Sequence, residues 1–184
     1  MLHTDILVLL YHFAKHSKGA VLEIGSYLGG ATVAMGYGII DSAQSTPFVT
    51  IEPGGSYPHH PWLPTYDILT DLKSNLKKWQ IDAYVSLESG NSRDEAVVNS
   101  VKQKFENKGI GLLCIDADGE INEDFTIYSH LLNPGAYLVV DDYFCGELKA
   151  VPTRNAIDAL VDNKKIECLG IYGWGTWVGR VLSN

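Results

Sequence analysis

The chain alternates short apolar runs with segments of helical periodicity from one end to the other. The apolar runs are rich in Val, Ile, Leu or Tyr and are each closed by Gly, Asp or Glu, which is typical of strands buried on both faces. Strands that alternate with helices form a mainly parallel sheet covered by helices. Parallel strands are predicted near residues 20–25, 47–52, 83–88, 111–116 and 136–141.

Three helices frame this pattern. The first is expected over about 3–17, where apolar residues recur at helical spacing, and the last near 153–163. The helix that contains Leu132 is expected to stop at the Asn-Pro-Gly sequence of residues 133–135. The reason is that the residue before a proline is biased out of the helical region and glycine permits the following turn.

Two further β-like runs close the chain, at 166–172 and 176–182, separated by the Gly-Trp-Gly sequence of residues 173–175. This arrangement predicts a terminal hairpin, one strand of which is antiparallel to the rest. The predicted fold is therefore a single α/β domain over residues 1–184. Its sheet is a Rossmann-like, doubly wound and mostly parallel sheet of seven strands with an antiparallel C-terminal hairpin strand.

Composition excludes several classes of function. A chain of 184 residues with 46% apolar content can bury one sizeable core. Its net charge of −8 argues against a nucleic-acid partner, because phosphate binding depends on clustered Lys and Arg. No apolar run approaches the ~18 residues needed to cross a membrane. The three cysteines share no metal-type spacing, so we expect a cytoplasmic protein with free thiols.

The run at 20–25 leads directly into a glycine turn that opens a helix. Gly25 and Gly29 permit turn geometry and close backbone approach, and the free N–H groups at the start of the next helix favour a carboxylate or phosphate. A dinucleotide motif would carry glycine where Tyr27 stands, and a P-loop would carry lysine where Ala31 stands. The turn is therefore predicted to hold a cofactor of another kind.

Glutamates close the first two predicted strands. Ligands of open α/β sheets bind beyond the carboxyl ends of the strands, so acids at these positions are candidates for binding. Glu52 is expected to accept the two hydroxyls of a ribose; its alternative is a solvated acid in the turn before Pro53. Glu23 is expected to fix the glycine turn or to receive a cationic group.

Three aspartates close two other strands that we expect to be neighbours. Asp116 ends one strand, and Asp141 and Asp142 end the next, so their carboxylates are predicted to converge. Unpaired, they would repel, whereas a hard divalent cation such as Mg²⁺ prefers oxygen ligands of this kind. The alternative is that these residues only terminate strands and cap helices. Asp118 and Glu120 are expected to cap the next helix or to face the pocket.

The ordered set of motifs resembles class I S-adenosylmethionine-dependent methyltransferases, in particular catechol-type and bacterial sugar or antibiotic O-methyltransferases. The resemblance covers about residues 20–145, from the glycine turn and its ribose acid through the adenine-side loop at 90–94 to the paired strand-end acids. It implies S-adenosylmethionine as methyl donor, Mg²⁺ held by Asp116, Asp141 and Asp142, and a small-molecule hydroxyl as acceptor. The implied cofactor contacts are Glu23, Gly25, Ser26, Tyr27, Gly29, Glu52, Ser92, Arg93 and Asp116.

The chain departs from this family at the general base. Where relatives carry lysine or histidine after the first metal-binding acid, residues 117–120 read Ala-Asp-Gly-Glu, so Asp116, Asp142 and Glu120 are left as candidate proton acceptors. Many relatives also carry an N-terminal extension that walls the acceptor pocket; its absence here favours a large acceptor, an open pocket or a homo-oligomer. Two alternatives stay open, a catalytically silent cofactor-binding module and an NAD-binding Rossmann protein.

Overall fold

The computed structural model describes residues 2–105 and 108–182, and these form one seven-stranded sheet in the order β3-β2-β1-β4-β5-β7-β6. The first five strands are parallel, and β7 is antiparallel to both of its neighbours. This confirms the predicted fold class. The strands are β1 (Ala20–Ile24), β2 (Phe48–Glu52), β3 (Ser86–Ser89), β4 (Ile110–Ile115), β5 (Leu132–Val140), β6 (Ile166–Tyr172) and β7 (Thr176–Val181).

Helices cover both faces of the sheet, as a doubly wound fold requires. They are α1 (Thr4–Lys15), α2 (Gly30–Ser42), α3 (Ile68–Lys78), α4 (Glu95–Phe105), α5 (Ile121–Tyr128) and α6 (Ala150–Asp162). The first three pack on one face through a cluster that includes Leu10 and Leu72. The other three pack on the opposite face through a cluster that includes Val101 and Ile157.

The central strands are apolar on both faces. Every residue of β1, β2 and β4 is buried, so each strand contributes to both clusters, as the continuous apolar runs predict. The strand β3 differs from the prediction. It begins at Ser86 rather than near residue 83 and is half exposed, because it lies at the edge of the sheet and pairs only with β2.

The segment before β5 also differs from the prediction. The helix α5 ends at Tyr128, a single 3₁₀ turn follows, and Leu132 already belongs to β5. The strand thus runs through Asn-Pro-Gly at 133–135, where its register against β4 is interrupted by a bulge. Proline lacks an N–H and is tolerated in a strand at such a bulge. The side chain of Asn133 further ties this segment to the backbone by donating to the carbonyls of Lys18 and Lys108.

The order of the strands reverses at β1, which pairs with β2 on one side and β4 on the other. The chain therefore runs from the carboxyl ends of β1 and β4 toward opposite edges of the sheet, and a crevice opens above this point. Within the described residues, no helix combines the length and apolar character that a membrane crossing needs.

Candidate active site

The loop after β1 touches the loop after β4. Gly25 has a φ of +85°, and a Cβ at this position would lie 1.9 Å from the carbonyl oxygen of Asp116. The N–H of Gly25 donates to the carbonyl of Ile51 at 3.0 Å. Glycine is required at residue 25 because the two backbones approach so closely, and this approach sets the floor of the crevice.

The second glycine of the turn has a different neighbour. Gly29 lies just before α2 with a φ of +88°, and an added Cβ would lie 2.8 Å from Leu72 of α3. Its small size therefore serves the packing of the turn against α3. Between the two glycines, the hydroxyl of Ser26 is buried without a hydrogen-bond partner among the described residues.

The carboxylate of Glu52 holds the loop after β1 in place. It accepts the N–H of Tyr27 at 2.7 Å and the N–H of Gly54 at 3.0 Å, one at each oxygen. Although Glu52 is buried, it lines a cavity at the crevice. Each carboxylate oxygen can accept a second hydrogen bond, so Glu52 can bind hydroxyl groups from that side.

The glutamate of β1 is fully buried and lies below the turn. One oxygen of Glu23 accepts the hydroxyls of Thr32 at 2.6 Å and Thr50 at 2.7 Å, whereas the other has no partner among the described residues. Burial raises the pKa of Glu23 to about 7, although the two hydroxyls lower it. Glu23 therefore ties β1 to β2 and α2 and leaves one orphaned oxygen.

The crevice contains an inner cavity of about 330 Å³ between the loops after β1, β2, β3 and β4. Six of the predicted cofactor contacts line it, and Glu23, Ser26 and Gly29 are not part of its lining. The inner cavity is bordered by Ile24, Gly25, Tyr27, Ile51, Glu52, Pro53, Asn91, Ser92, Arg93, Asp116, Ala117 and Asp118.

The wall formed by the loop after β3 is held by charged groups. The guanidinium of Arg93 pairs with Asp118 at 2.5 Å and with Glu123 at 3.4 Å. Hydrogen bonding from Arg93 lowers the pKa of Asp118 below its usual value. The hydroxyl of Ser92 donates to the buried Asp124 at 2.6 Å. These contacts fix the loop after β3 against α5 and so define one end of the inner cavity.

The three strand-end aspartates converge as predicted. One carboxylate oxygen from each of Asp116, Asp141 and Asp142 lies within 4.8 Å of the others, and all three side chains are half-buried. The hydroxyl of Thr176, at the start of β7, donates to Asp141 at 2.5 Å. Asp142 has a φ of +59°, a conformation that persists only where its surroundings enforce it.

The electrostatic environment of the cluster favours protonation or a cation. The pKa of Asp116 is raised to about 7, first by burial and then by the charge of Asp141, while the ammonium of Lys149 opposes the shift. Burial likewise raises the pKa of Asp141, and its hydrogen bond from Thr176 opposes this. The cluster is therefore costly to keep fully ionised without a positive charge beside it.

Lys149 supplies such a charge and was missed by the sequence analysis. It lies directly before α6, and its Nζ lies 2.5 Å from Asp142 Oδ2 and 3.8 Å from Asp116 Oδ1. Hydrogen bonding to Asp142 and the charge of Asp116 raise its pKa, although burial acts first and lowers it. In the sequence, Lys149 is marked only by its position a few residues after the paired acids, and this spacing is not diagnostic of a contact with them.

An outer cavity of about 720 Å³ lies above the aspartate cluster. Its walls come from His3, which precedes α1, from the loops at 57–62 and 144–149, and from the β6–β7 turn, and they are rich in aromatic rings. The ring of Trp174 meets that of His3 edge-on, with centroids 5.1 Å apart. The aromatic and histidine side chains in the lining are His3, Tyr27, Tyr57, His60, Trp62, Phe144 and Trp174.

Two residues line both cavities, Tyr27 and Asp116. Tyr27 has a φ of +49°, its hydroxyl donates to the carbonyl of Leu63, and its ring stacks on His60 with centroids 5.3 Å apart. The inner and outer cavities thus meet at this pair. Of the three candidate proton acceptors, Asp116 and Asp142 lie in the outer cavity, and Glu120 is exposed and outside the lining of both.

The family of this chain follows from comparison of its sequence with family models. Residues 22–143 match the methyltransferase domain family, which is two thirds of the chain, so the protein belongs to that family. The matched range holds the glycine turn, Glu52 and the three aspartates. No curated protein sequence matches the chain.

Solved structures share the fold at low sequence identity. An O-methyltransferase from Bacillus cereus in complex with SAH is 14% identical, with a TM-score of 0.71. The match covers 100% of this chain and 83% of the Bacillus cereus chain. TomG from Streptomyces achromogenes, in complex with SAM, is 15% identical with a TM-score of 0.72, and the match covers 100% of this chain and 82% of TomG. SAH-bound PaMTH1 from Podospora anserina is 16% identical with a TM-score of 0.68, and the match covers 100% of this chain and 80% of PaMTH1. The fold is therefore that of S-adenosylmethionine-dependent O-methyltransferases.

Proposed function

We propose that the protein transfers a methyl group from S-adenosylmethionine to a hydroxyl of a small molecule, with assistance from a divalent cation. One observation carries this proposal: a cavity floored by the glycine turn and Glu52 meets a second cavity floored by three carboxylates. Methyl transfer requires donor and acceptor in line on either side of such a junction. TomG and the Bacillus cereus enzyme are named as O-methyltransferases and support this assignment by analogy.

The residues at the inner cavity fit the proposed donor. Glu52 would accept its ribose hydroxyls, and Ser92 and Arg93 would border its adenine. Gly25 and Tyr27 would border its methionine part. A buried oxygen atom within the turn, Ser26 Oγ, has no partner in residues 2–105 and 108–182, which fits a turn built for a polar ligand.

The aspartate cluster fits a hard cation such as Mg²⁺. Its three carboxylates offer oxygen ligands close together, on the outer side of the junction. Asp116, Asp141 and Asp142 would hold the ion. When bound there, the ion supplies Lewis acidity that lowers the pKa of an acceptor hydroxyl.

Protein side chains would receive the proton and position the acceptor. Asp116 and Asp142, which line the outer cavity, would receive the proton of the acceptor hydroxyl, and Asp116 also lines the inner cavity. Tyr27 lines both cavities and holds the loop at 57–65 through its hydroxyl and ring. The aromatic walls of the outer cavity would position the acceptor and exclude water.

Donor binding is the first test. Titration calorimetry with S-adenosylhomocysteine is expected to show binding that weakens at least about tenfold in Glu52→Ala, because two ribose hydrogen bonds and the anchor of the turn are lost. Glu167→Ala, at an exposed strand position, is the matched control and should bind like the wild type. Binding of NAD in place of S-adenosylhomocysteine would contradict the proposal.

Transfer of a labelled methyl group to a panel of vicinal diols, phenols and sugars is the second test. Incorporation that depends on an added divalent cation would support the proposed reaction. Tight donor binding without transfer to any acceptor would favour a catalytically silent module, for which the lack of lysine or histidine at residues 117–120 is the supporting observation.

A further inference from the structure

The loop before α6 places a positive charge inside the aspartate cluster. The Nζ of Lys149 donates to the carbonyl of Ala117 at 3.2 Å and lies 2.5 Å from Asp142 Oδ2. It also lies 3.8 Å from Asp116 Oδ1. Its side chain is about three-quarters buried, at 25% relative exposure, so water screens these interactions only in part.

Lys149 is the cation that pairs with the cluster in the part of the chain that the structure describes. Within residues 2–105 and 108–182, the ion pairs made by Asp116 and Asp142 are those with Lys149, and Asp141 forms none. Lys149 is thus the cation that the described residues pair with Asp116 and Asp142. A lysine ammonium is a compact point charge on a flexible stem, so it can leave a carboxylate by rotation of its side chain.

We propose that Lys149 is the resident cation of the aspartate cluster and that a divalent cation binds there by displacing its ammonium from Asp142. This inference rests on the metal site of the proposed function. Asp142 is one of the three carboxylates that would hold the ion, and its Oδ2 already lies 2.5 Å from Lys149 Nζ. Two positive charges beside the same carboxylate would repel each other. The measured metal affinity is then the intrinsic affinity reduced by competition from Lys149, and the cluster is held together when the metal is absent.

The direct test is calorimetric titration of Mn²⁺ into protein freed of metal with a chelator. Lys149→Met is expected to bind Mn²⁺ about five- to tenfold more tightly than the wild type, the size of a partly buried ion pair that no longer competes. Lys149→Arg keeps the charge and should stay near the wild type. Lys77→Met, at an exposed position of α3, is the matched control and should not change.

Thermal unfolding gives a second readout. In chelator, Lys149→Met should unfold at a lower temperature than the wild type because its carboxylates repel, and Mn²⁺ should raise its Tm by more than it raises that of the wild type. Lys149→Gln, which keeps a donor for the Ala117 carbonyl, repeats the comparison if the methionine variant folds poorly. Unchanged or weaker Mn²⁺ binding in the folded variants, or no Mn²⁺ binding by any protein, would overturn the inference.

Binding of S-adenosylhomocysteine separates this inference from the proposed function. The wild type should bind it with and without Mn²⁺, because neither Lys149 nor Asp142 lines the inner cavity. Lys149→Met could bind Mn²⁺ more tightly than the wild type while the wild type does not bind S-adenosylhomocysteine. In that case the proposed function is wrong, but the competition between Lys149 and the cation is supported.

Discussion

At the scale of single residues, two glutamates at the ends of neighbouring strands meet opposite environments. Glu52 accepts two backbone N–H groups and faces the inner cavity. Glu23 is surrounded by protein, with two threonine hydroxyls at one oxygen and no partner among the described residues at the other. The first suits ligand binding, and the second couples the stability of the turn to pH.

Glu23 should make the folded protein less stable as the pH rises from about 4.5 to about 7. Its pKa is raised from 4.5 to about 7, so in this range the folded state holds a proton that the unfolded state has lost. Glu23→Gln removes this dependence and should gain about 3 kcal/mol relative to the wild type between pH 4 and pH 8. Denaturant unfolding at both pH values measures the gain.

The control for Glu23 is an exposed glutamate of β6. Glu167→Gln should show no such pH-dependent gain. A Glu23→Gln variant whose stability relative to the wild type is the same at pH 4 and pH 8 would show that folding does not raise the pKa of Glu23.

The position of a side chain can be predicted from the sequence where the topology of the sheet determines it. Asp116, Asp141 and Asp142 converge because parallel neighbouring strands end at one edge of the sheet, which strand-end reasoning predicts. Lys149 is different, because its position depends on the path of the loop at 143–149. No periodicity constrains that path, so its lysine could not be assigned to the cluster from sequence.

At the scale of secondary structure, the contact between α1 and α2 depends on a glycine. A Cβ at Gly38 would lie 2.3 Å from the carbonyl oxygen of Tyr11 and 3.0 Å from the N–H of Lys15. Both neighbours are backbone atoms of α1 and cannot move aside as a side chain would. The two helices can therefore pack this closely only with glycine at residue 38.

Gly38→Ala is expected to destabilise the fold by about 1–3 kcal/mol through overpacking, despite the higher helix propensity of alanine. Gly30→Ala, in the same helix but with no atom within 4 Å of the added Cβ, should be neutral or up to about 1 kcal/mol stabilising. Chemical denaturation compares the two. Equal effects would mean that propensity, and not the α1–α2 contact, decides the outcome.

Elements are predicted well where hydrophobic pattern and length agree. The buried strands β1, β2 and β4 lie within one residue of their predicted bounds, because their apolar runs are continuous. The start of β5 could not be predicted, since Asn-Pro-Gly at 133–135 favours a turn by local preference, and only pairing with β4 draws it into a bulged strand. The edge strand β3 is only half-buried, so its sequence does not carry the continuous apolar run that marks the central strands.

At the scale of the whole molecule, the sheet order brings distant segments to one crevice. The chain reverses direction across the sheet at β1, so loops from β1 to β4 border the inner cavity, and the antiparallel β7 brings Thr176 to Asp141. This topology explains why a donor cavity and an acidic cluster meet at Tyr27 and Asp116.

A crystal structure grown with S-adenosylhomocysteine and Mn²⁺ tests the junction most directly. The predicted result is the nucleoside in the inner cavity with its ribose on Glu52, the sulfur facing the outer cavity, and a manganese anomalous peak among the carboxylates of Asp116, Asp141 and Asp142. A nucleoside bound outside the inner cavity, or manganese away from these three carboxylates, would contradict the account.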